Sequence, residues 1–182
     1  MRAVTASIIL LVPLLATPVL AQQQHPPVAP AKPAVIPSGP EELAKSEDWI
    51  AAKHQEFGQT VCYAFTRAKN STPAVANRTE VVLTVTQRPT GRDAVAISAG
   101  FTFPANAAVT VQVDQAGFDF YTAQKNAFAR DGKVVVAAFQ KAGQAMARSP
   151  GPREGLVVVD TFSLKGFSAA YAAINKACPA GR

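Results

Sequence analysis

Cysteine, histidine and tryptophan are all scarce in this chain, which holds two, two and one of them in 182 residues. Two thiols and two imidazoles could at most fill one zinc site, and His25, His54, Cys62 and Cys178 are scattered with none of the paired spacing of structural zinc ligands, so no metal is expected. The histidines are His25 and His54, both in the first third of the chain. A Ser-His-Asp or Cys-His site therefore has no histidine to draw on from the rest of the chain. The spaced motifs GxSxG, HExxH and GxxxxGK[ST] are absent as well, which removes the sequence signals of the nucleophile elbow, the zinc protease and the phosphate-cradling loop. Charge is sparse at 16%, against 48% hydrophobic residues, which excludes a disordered polyampholyte and favours a packed core. After the N-terminal segment no apolar run is long enough to cross a bilayer as a helix.

The chain is punctuated from its start. Residues 1–21 read as a signal peptide, with Arg2, an apolar stretch Ile8–Leu15 and a small-residue end at Ala21. No cysteine stands at the cleavage point to accept a lipid. Residues 22–47 form a Pro/Gln-rich tether and lead-in, whose prolines deny it both helix and ladder hydrogen bonds. Within the lead-in, Leu43, Trp49 and Ile50 have helical spacing, and a helix is expected over 41–53 with His54 just beyond it. Trp49 is read as the residue that docks this segment on the domain.

Residues 48–182 carry the body of the protein. From Gly58 the period falls to two: Val61, Tyr63 and Phe65 alternate with Cys62, Ala64 and Thr66, and further strands are expected over 80–87, 94–103, 109–113 and from Phe118. The Asp114–Gly117 turn makes the last two a hairpin. Clean alternation suits antiparallel strands with one buried face. Over 131–143 both periods compete, but Asp131 and Gly143 stand at cap positions and a short helix is expected between them. A strand over 144–149 and another over 156–162 follow. At Ser163 the spacing changes to Leu164, Phe167, Tyr171 and Ile174, a helix capped by Ser163 and stopped by Pro179. The fold class is thus mainly β: an antiparallel β-sandwich-like domain with a short helix and a C-terminal helix packed on it.

Cys62 and Cys178 are 116 positions apart, which is no redox or metal spacing. In an exported chain a structural disulfide is the economical reading, with free buried thiols the alternative. No residue is assigned a catalytic role. Asp93, Asp114, Asp119, Asp131 and Glu154 fall at turns, strand ends or a helix cap, and only a hydrolase built from such loop carboxylates stays open as an enzymatic alternative. Asp160, after three valines, is expected to face outward on its strand, with a buried ion pair as the other option.

Past Gly58 the chain has 14 Lys/Arg against 7 Asp/Glu. Arg67, Lys69, Arg78, Arg88 and Arg92 lie in successive loops and are the candidates for contact with an anionic membrane surface. Successive loops of a meander point to opposite ends of the sheet, and no aromatics interleave with these cations. Nucleic acid is therefore not expected as a partner, nor is any cofactor.

Four stretches resemble the invasion-associated locus B family of alphaproteobacterial envelope proteins. They are Val61-Cys62-Tyr63-Ala64, the segment Val85–Pro89, the stretch Phe118–Phe128 and, most of all, Asp160–Leu164 running on to Ala177-Cys178-Pro179. The resemblance implies a β-rich exported protein, periplasmic, outer-membrane-associated or secreted. It also implies a binding role toward an envelope or host component, linked in some pathogens to entry into host cells. A purely structural envelope component is the remaining alternative.

Overall fold

The computed structural model describes residues 39–181; the expected signal peptide and most of the tether lie outside them. Among the described residues eleven strands form one antiparallel sheet, and two helices accompany it. The strands are β1 (Glu41–Ser46), β2 (Trp49–Glu56), β3 (Gln59–Arg67), β4 (Asn70–Thr72), β5 (Val82–Arg88), β6 (Gly91–Ser98), β7 (Ala108–Val113), β8 (Ala116–Ala123), β9 (Asn126–Ala129), β10 (Gln144–Pro150) and β11 (Val157–Ser163). The helices are α1 (Gly132–Phe139) and α2 (Phe167–Ala177). The order across the sheet is β1-β2-β3-β5-β6-β9-β8-β7-β10-β11-β4.

That order nearly closes on itself. β3 and β4 are separated by two residues only, yet β3 pairs with β5 and β4 pairs with β11 at the far end of the order. The Lys69 amide donates to Thr161 O at 2.8 Å where the chain passes from one to the other. A sheet curled this far brings its inner faces together as a sandwich does. Leu83, Val85, Val95 and Ile97 from one half and Val109, Val111, Phe120, Ala145, Val158 and Phe162 from the other make one core. Burying each large member contributes about 1.5–3 kcal/mol.

The C-terminal helix closes the remaining opening. Phe167, Ala170 and Ile174 are wholly buried, and the Phe167 ring lies 4.8 Å from Trp49 and 5.5 Å from Phe139. The helix starts at Phe167, not at Leu164 behind a Ser163 cap as the spacing predicts. Ser163 is the last residue of β11, and the helix begins after Gly166, whose φ is 86°. A Cβ at Gly166 would sit 2.0 Å from Ser46 O, so β1 and the left-handed turn together set where the helix begins.

The lead-in helix expected over 41–53 is instead the β1–β2 hairpin, reversed at Glu47 and Asp48. Trp49 and Ala51 alternate into the core with Ile50 between them, and β3 supplies the ladder that this segment cannot make alone. Trp49 does dock the segment: it is fully buried and its Nε1–H donates to Ser163 O at 2.9 Å. His54 accordingly sits on a sheet strand. The strand expected over 94–103 ends at Ser98, while Phe101 and Phe103 still fill the core from irregular backbone. The short helix α1 forms with Asp131 as its cap, accepting from the Val134 amide at 3.1 Å, but it ends before Gly143 is reached.

Candidate functional site

Strand alternation divides every side chain between core and exterior, and Cys62 sets the parity for the first half of the sheet. Cys62, Ala64 and Thr66 point inward and are buried, which turns Val61, Tyr63, Phe65 and Arg67 outward. Cross-strand register then lines up an outer row of Ile50, Phe65, Thr84, Ala96, Phe128 and Tyr121, one residue from each of β2, β3, β5, β6, β9 and β8. A second row beside it holds Ala52, Tyr63, Thr86 and Ala94.

Two aromatic pairs stand on this face. Tyr63 and Phe65 have centroids 6.0 Å apart, His54 meets Tyr63 edge-on at 5.4 Å, and Arg67 lies over Phe65 at 5.7 Å. Across the sheet Tyr121 stacks on Phe128 at 5.5 Å, with Arg130 over Tyr121 at 5.8 Å. Between them, in these two rows, β5 and β6 present Thr84, Thr86, Ala94 and Ala96. With strands about 4.8 Å apart, β3 and β9 are about 14 Å from one another. Small residues between two aromatic walls make a shallow trough with no charge on its floor. Ala52 and Val61 are buried on this outer face, at 4% and 2% exposure, yet lie outside the main core, covered by their neighbours on the same face. Desolvation there pushes the Tyr63 hydroxyl above its ordinary pKa, and His54 Nδ1 is buried without a hydrogen-bond partner.

The cations fall in two sets at opposite ends of β3. At one end Arg67 Nε donates to Glu80 at 2.9 Å, and Lys69 pairs with Asp48, whose carboxyl it holds below the usual range by hydrogen bonding. Arg78 lies behind them, buried. Its two terminal nitrogens donate to Asp160 Oδ1 and Oδ2 at 2.7 Å each, its Nε donates to Ala99 O at 2.6 Å, and its guanidinium lies 4.9 Å from the Phe101 centroid. Ser71 Oγ adds a hydrogen bond to Asp160 at 2.7 Å. Asp160 is therefore not an outward strand residue. It shares the parity of Val158 and Phe162, is 2% exposed, and needs the bidentate partner that Arg78 provides.

At the other end Arg88 Nε donates to Glu56 at 3.0 Å, while Arg92 donates to Cys178 O at 2.6 Å and to Asn175 Oδ1. Cys62 and Cys178 are joined in a disulfide, Cα to Cα 5.9 Å. Beside it the fully buried Gln87 donates to Asp93 Oδ1 at 2.6 Å and accepts from the Asp93 amide at 2.9 Å. The Tyr171 hydroxyl donates to the same carboxylate at 2.6 Å. Burial first, then that carboxylate, raise the Tyr171 pKa above 10.0.

The remaining loop carboxylates do not converge. Asp114 sits in the β7–β8 turn, Asp119 on β8, and Asp131 caps α1. Among the described residues no three His, Cys, Asp or Glu side chains are grouped closely enough to hold a metal. No helix of the described residues is long and apolar enough to cross a membrane.

The aromatic face is not among the features expected from the sequence, though one signal for it is present there. If Cys62 turns inward to meet Cys178, then Tyr63 and Phe65 must turn outward. A family model described as Invasion associated locus B (IalB) protein matches residues 49–175. No curated protein matches. Among solved structures, the crystal structure of invasion associated protein b from Bartonella henselae is similar at a TM-score of 0.56 and 18% identity, over 74% of this chain and 95% of that one. At that identity the likeness is one of fold.

Proposed function

The chain belongs to the Invasion associated locus B (IalB) family, and on that premise we propose that it is an exported cell-envelope protein that binds and does not catalyse. Its contact surface is the trough between the Tyr63–Phe65 and Phe128–Tyr121 pairs. The observation that carries this reading is the contrast between that face and the acids. Rings and small residues are gathered in two adjacent rows, the longer of them crossing six strands, whereas the carboxylates are scattered, capping or paired. An amphipathic helix about 10 Å across fits between the aromatic walls, as does an extended segment. Export rests on the reading of residues 1–21, and the periplasm, outer membrane or exterior is the compartment in which the partner is met. The family's description, and the Bartonella henselae protein's own designation as invasion associated, support a role in invasion, for which the partner is an envelope or host component.

A photo-crosslinking amino acid placed at Thr84, on the trough floor, tests this against the same group at Thr110, on the polar outer surface of β7. Incubation with envelope extract should give a discrete adduct from position 84 and none from 110. The double change Phe65→Ser with Phe128→Ser should remove it while the circular-dichroism spectrum stays native. Equal labelling from both positions, or none from either, would overturn the assignment.

A further inference from the structure

The β2–β3 hairpin turns on Phe57 and Gly58, with φ of 49° and 78°. Left-handed values at both central positions suit the twist of the flanking strands, and the usual occupants are Asn or Asp followed by Gly. Gly58 fits that rule. Phe57 does not, because a bulky L residue is strained in this basin. Nor does packing compensate: Phe57 is 99% exposed, while the other nine phenylalanines are buried or half-buried. The fold gains nothing from this ring and would be served better by asparagine.

The surroundings of the tip are specific. β3 pairs Cys62 with Gln87, so the Arg88–Gly91 turn lies at the same end of the sheet. The disulfide brings the end of α2 there, and β1 begins there too, since Glu41 faces Lys53 and Lys53 faces Cys62. A cleft of about 370 Å³ opens beside the tip, lined by Gln59, Thr60, Pro89, Arg92, Cys178 and Pro179. Of the cations at this end, Lys53 pairs with Glu41 and Arg88 with Glu56. Arg92 donates to a carbonyl and an amide, neither of which offsets its charge, and Lys176 projects from the last turn of α2. The Asp93 carboxylate beside Arg92 is hydrogen-bonded by Gln87 and Tyr171, which are neutral too, so Arg92 and Asp93 offset one another and Lys176 is the cation left over.

We propose that this end of the domain docks on an anionic lipid surface, with Phe57 entering the headgroup–acyl boundary and the exposed Lys176 meeting lipid phosphate. A protein partner fits less well. One ring on a two-residue turn falls far short of the roughly 800 Å² that a stable interface takes from each side. A bilayer interface accepts single aromatic side chains at headgroup depth, and a nearby cation adds a Coulombic attraction. Contact of this kind is weak and reversible. It is independent of the sheet face, which lies along the side of the domain.

The test is sedimentation of the purified protein with vesicles of phosphatidylglycerol and phosphatidylethanolamine, and with phosphatidylcholine alone. Binding should favour the anionic vesicles and fall between roughly 0.05 and 0.5 M salt, on the order of the screening expected for exposed charges. Phe57→Asn should lower the binding constant about tenfold or more, in line with losing one buried aromatic side chain, while raising thermal stability by relaxing the turn. Phe57→Trp should bind and show a blue shift, quenched by brominated lipid, over the constant signal of the buried Trp49. No binding to anionic vesicles, unchanged binding of Phe57→Asn, or an indole signal in Phe57→Trp that vesicles leave unmoved would each overturn the proposal. So would Phe57-dependent capture of an envelope protein without vesicle binding.

Discussion

Two latches hold this domain shut, and they work by different physics. At one end Cys62–Cys178 ties the C-terminal helix to β3, with Arg92, Asn175 and the Gln87–Asp93–Tyr171 cluster around it. At the other end Arg78 and Asp160 join the 73–81 loop to β11 through a buried bidentate pair. The covalent latch acts chiefly on the unfolded chain, whose freedom it reduces whatever surrounds it. The ionic latch acts in the native state and depends on its surroundings: at 6% and 3% side-chain exposure, each charge is tolerable only because the other is there. One is a constraint, the other a mutual dependence.

The sharpest way to separate them is to remove one component of each. Changing both cysteines to serine should cost about 4–5 kcal/mol, the chain-entropy value for a loop of this length, read as a shift of the urea midpoint. Reduction of the native protein should reproduce that shift.

Asp160→Ala should come next, at about 3–5 kcal/mol, because Arg78 is left charged and buried without its partner. The pair is broken less by replacing both members: Arg78→Met with Asp160→Leu should recover most of the loss. If the double variant is no better than Asp160→Ala, Arg78 and Asp160 are not a matched pair and the contrast between the two latches fails.

Tyr171→Phe removes one hydrogen bond beside the disulfide and should cost about 1 kcal/mol. It also tests the pH response. The folded-state pKa of Tyr171 lies above its unfolded value, so its contribution is fully present below about pH 10 and is lost as pH rises through the raised pKa. Tyr63 on the outer face is raised in the same direction by burial, so an alkaline loss should persist in Tyr171→Phe but with a shallower slope. An unchanged alkaline profile would remove Tyr171 from the latch.

The smallest effect belongs to the exposed pair Arg67–Glu80. Its members are more than half exposed, and Arg67→Ala should shift stability by about 0–1 kcal/mol, vanishing in high salt.

Much of this fold is legible in the amino-acid order alone, and the reasons are local. Alternation in Val109, Val111 and Val113 marks a strand because side chains of period two can face one core. Asp131 caps α1 because its carboxylate reaches the free amide of Val134 within its own turn. The pairing of Cys62 with Cys178 follows from there being no other thiol, and the buried stripe of α2 from its spacing. What local chemistry could not decide was anything settled by a partner distant in sequence. Residues 41–53 carry a helical spacing but form a hairpin, because β3 offers a ladder and Trp49 a place in the core. Asp160 looks like any strand acid until a strand inner face and Arg78, 82 residues away, turn it into half of an ion pair. Alternation over Val61–Thr66 leaves open which set faces the core, and the disulfide claims the inward parity for Cys62, which turns Tyr63 and Phe65 outward. Each residue type narrowed its own conformations; which side of the sheet it faced, and what it met there, was decided only when the whole sheet closed.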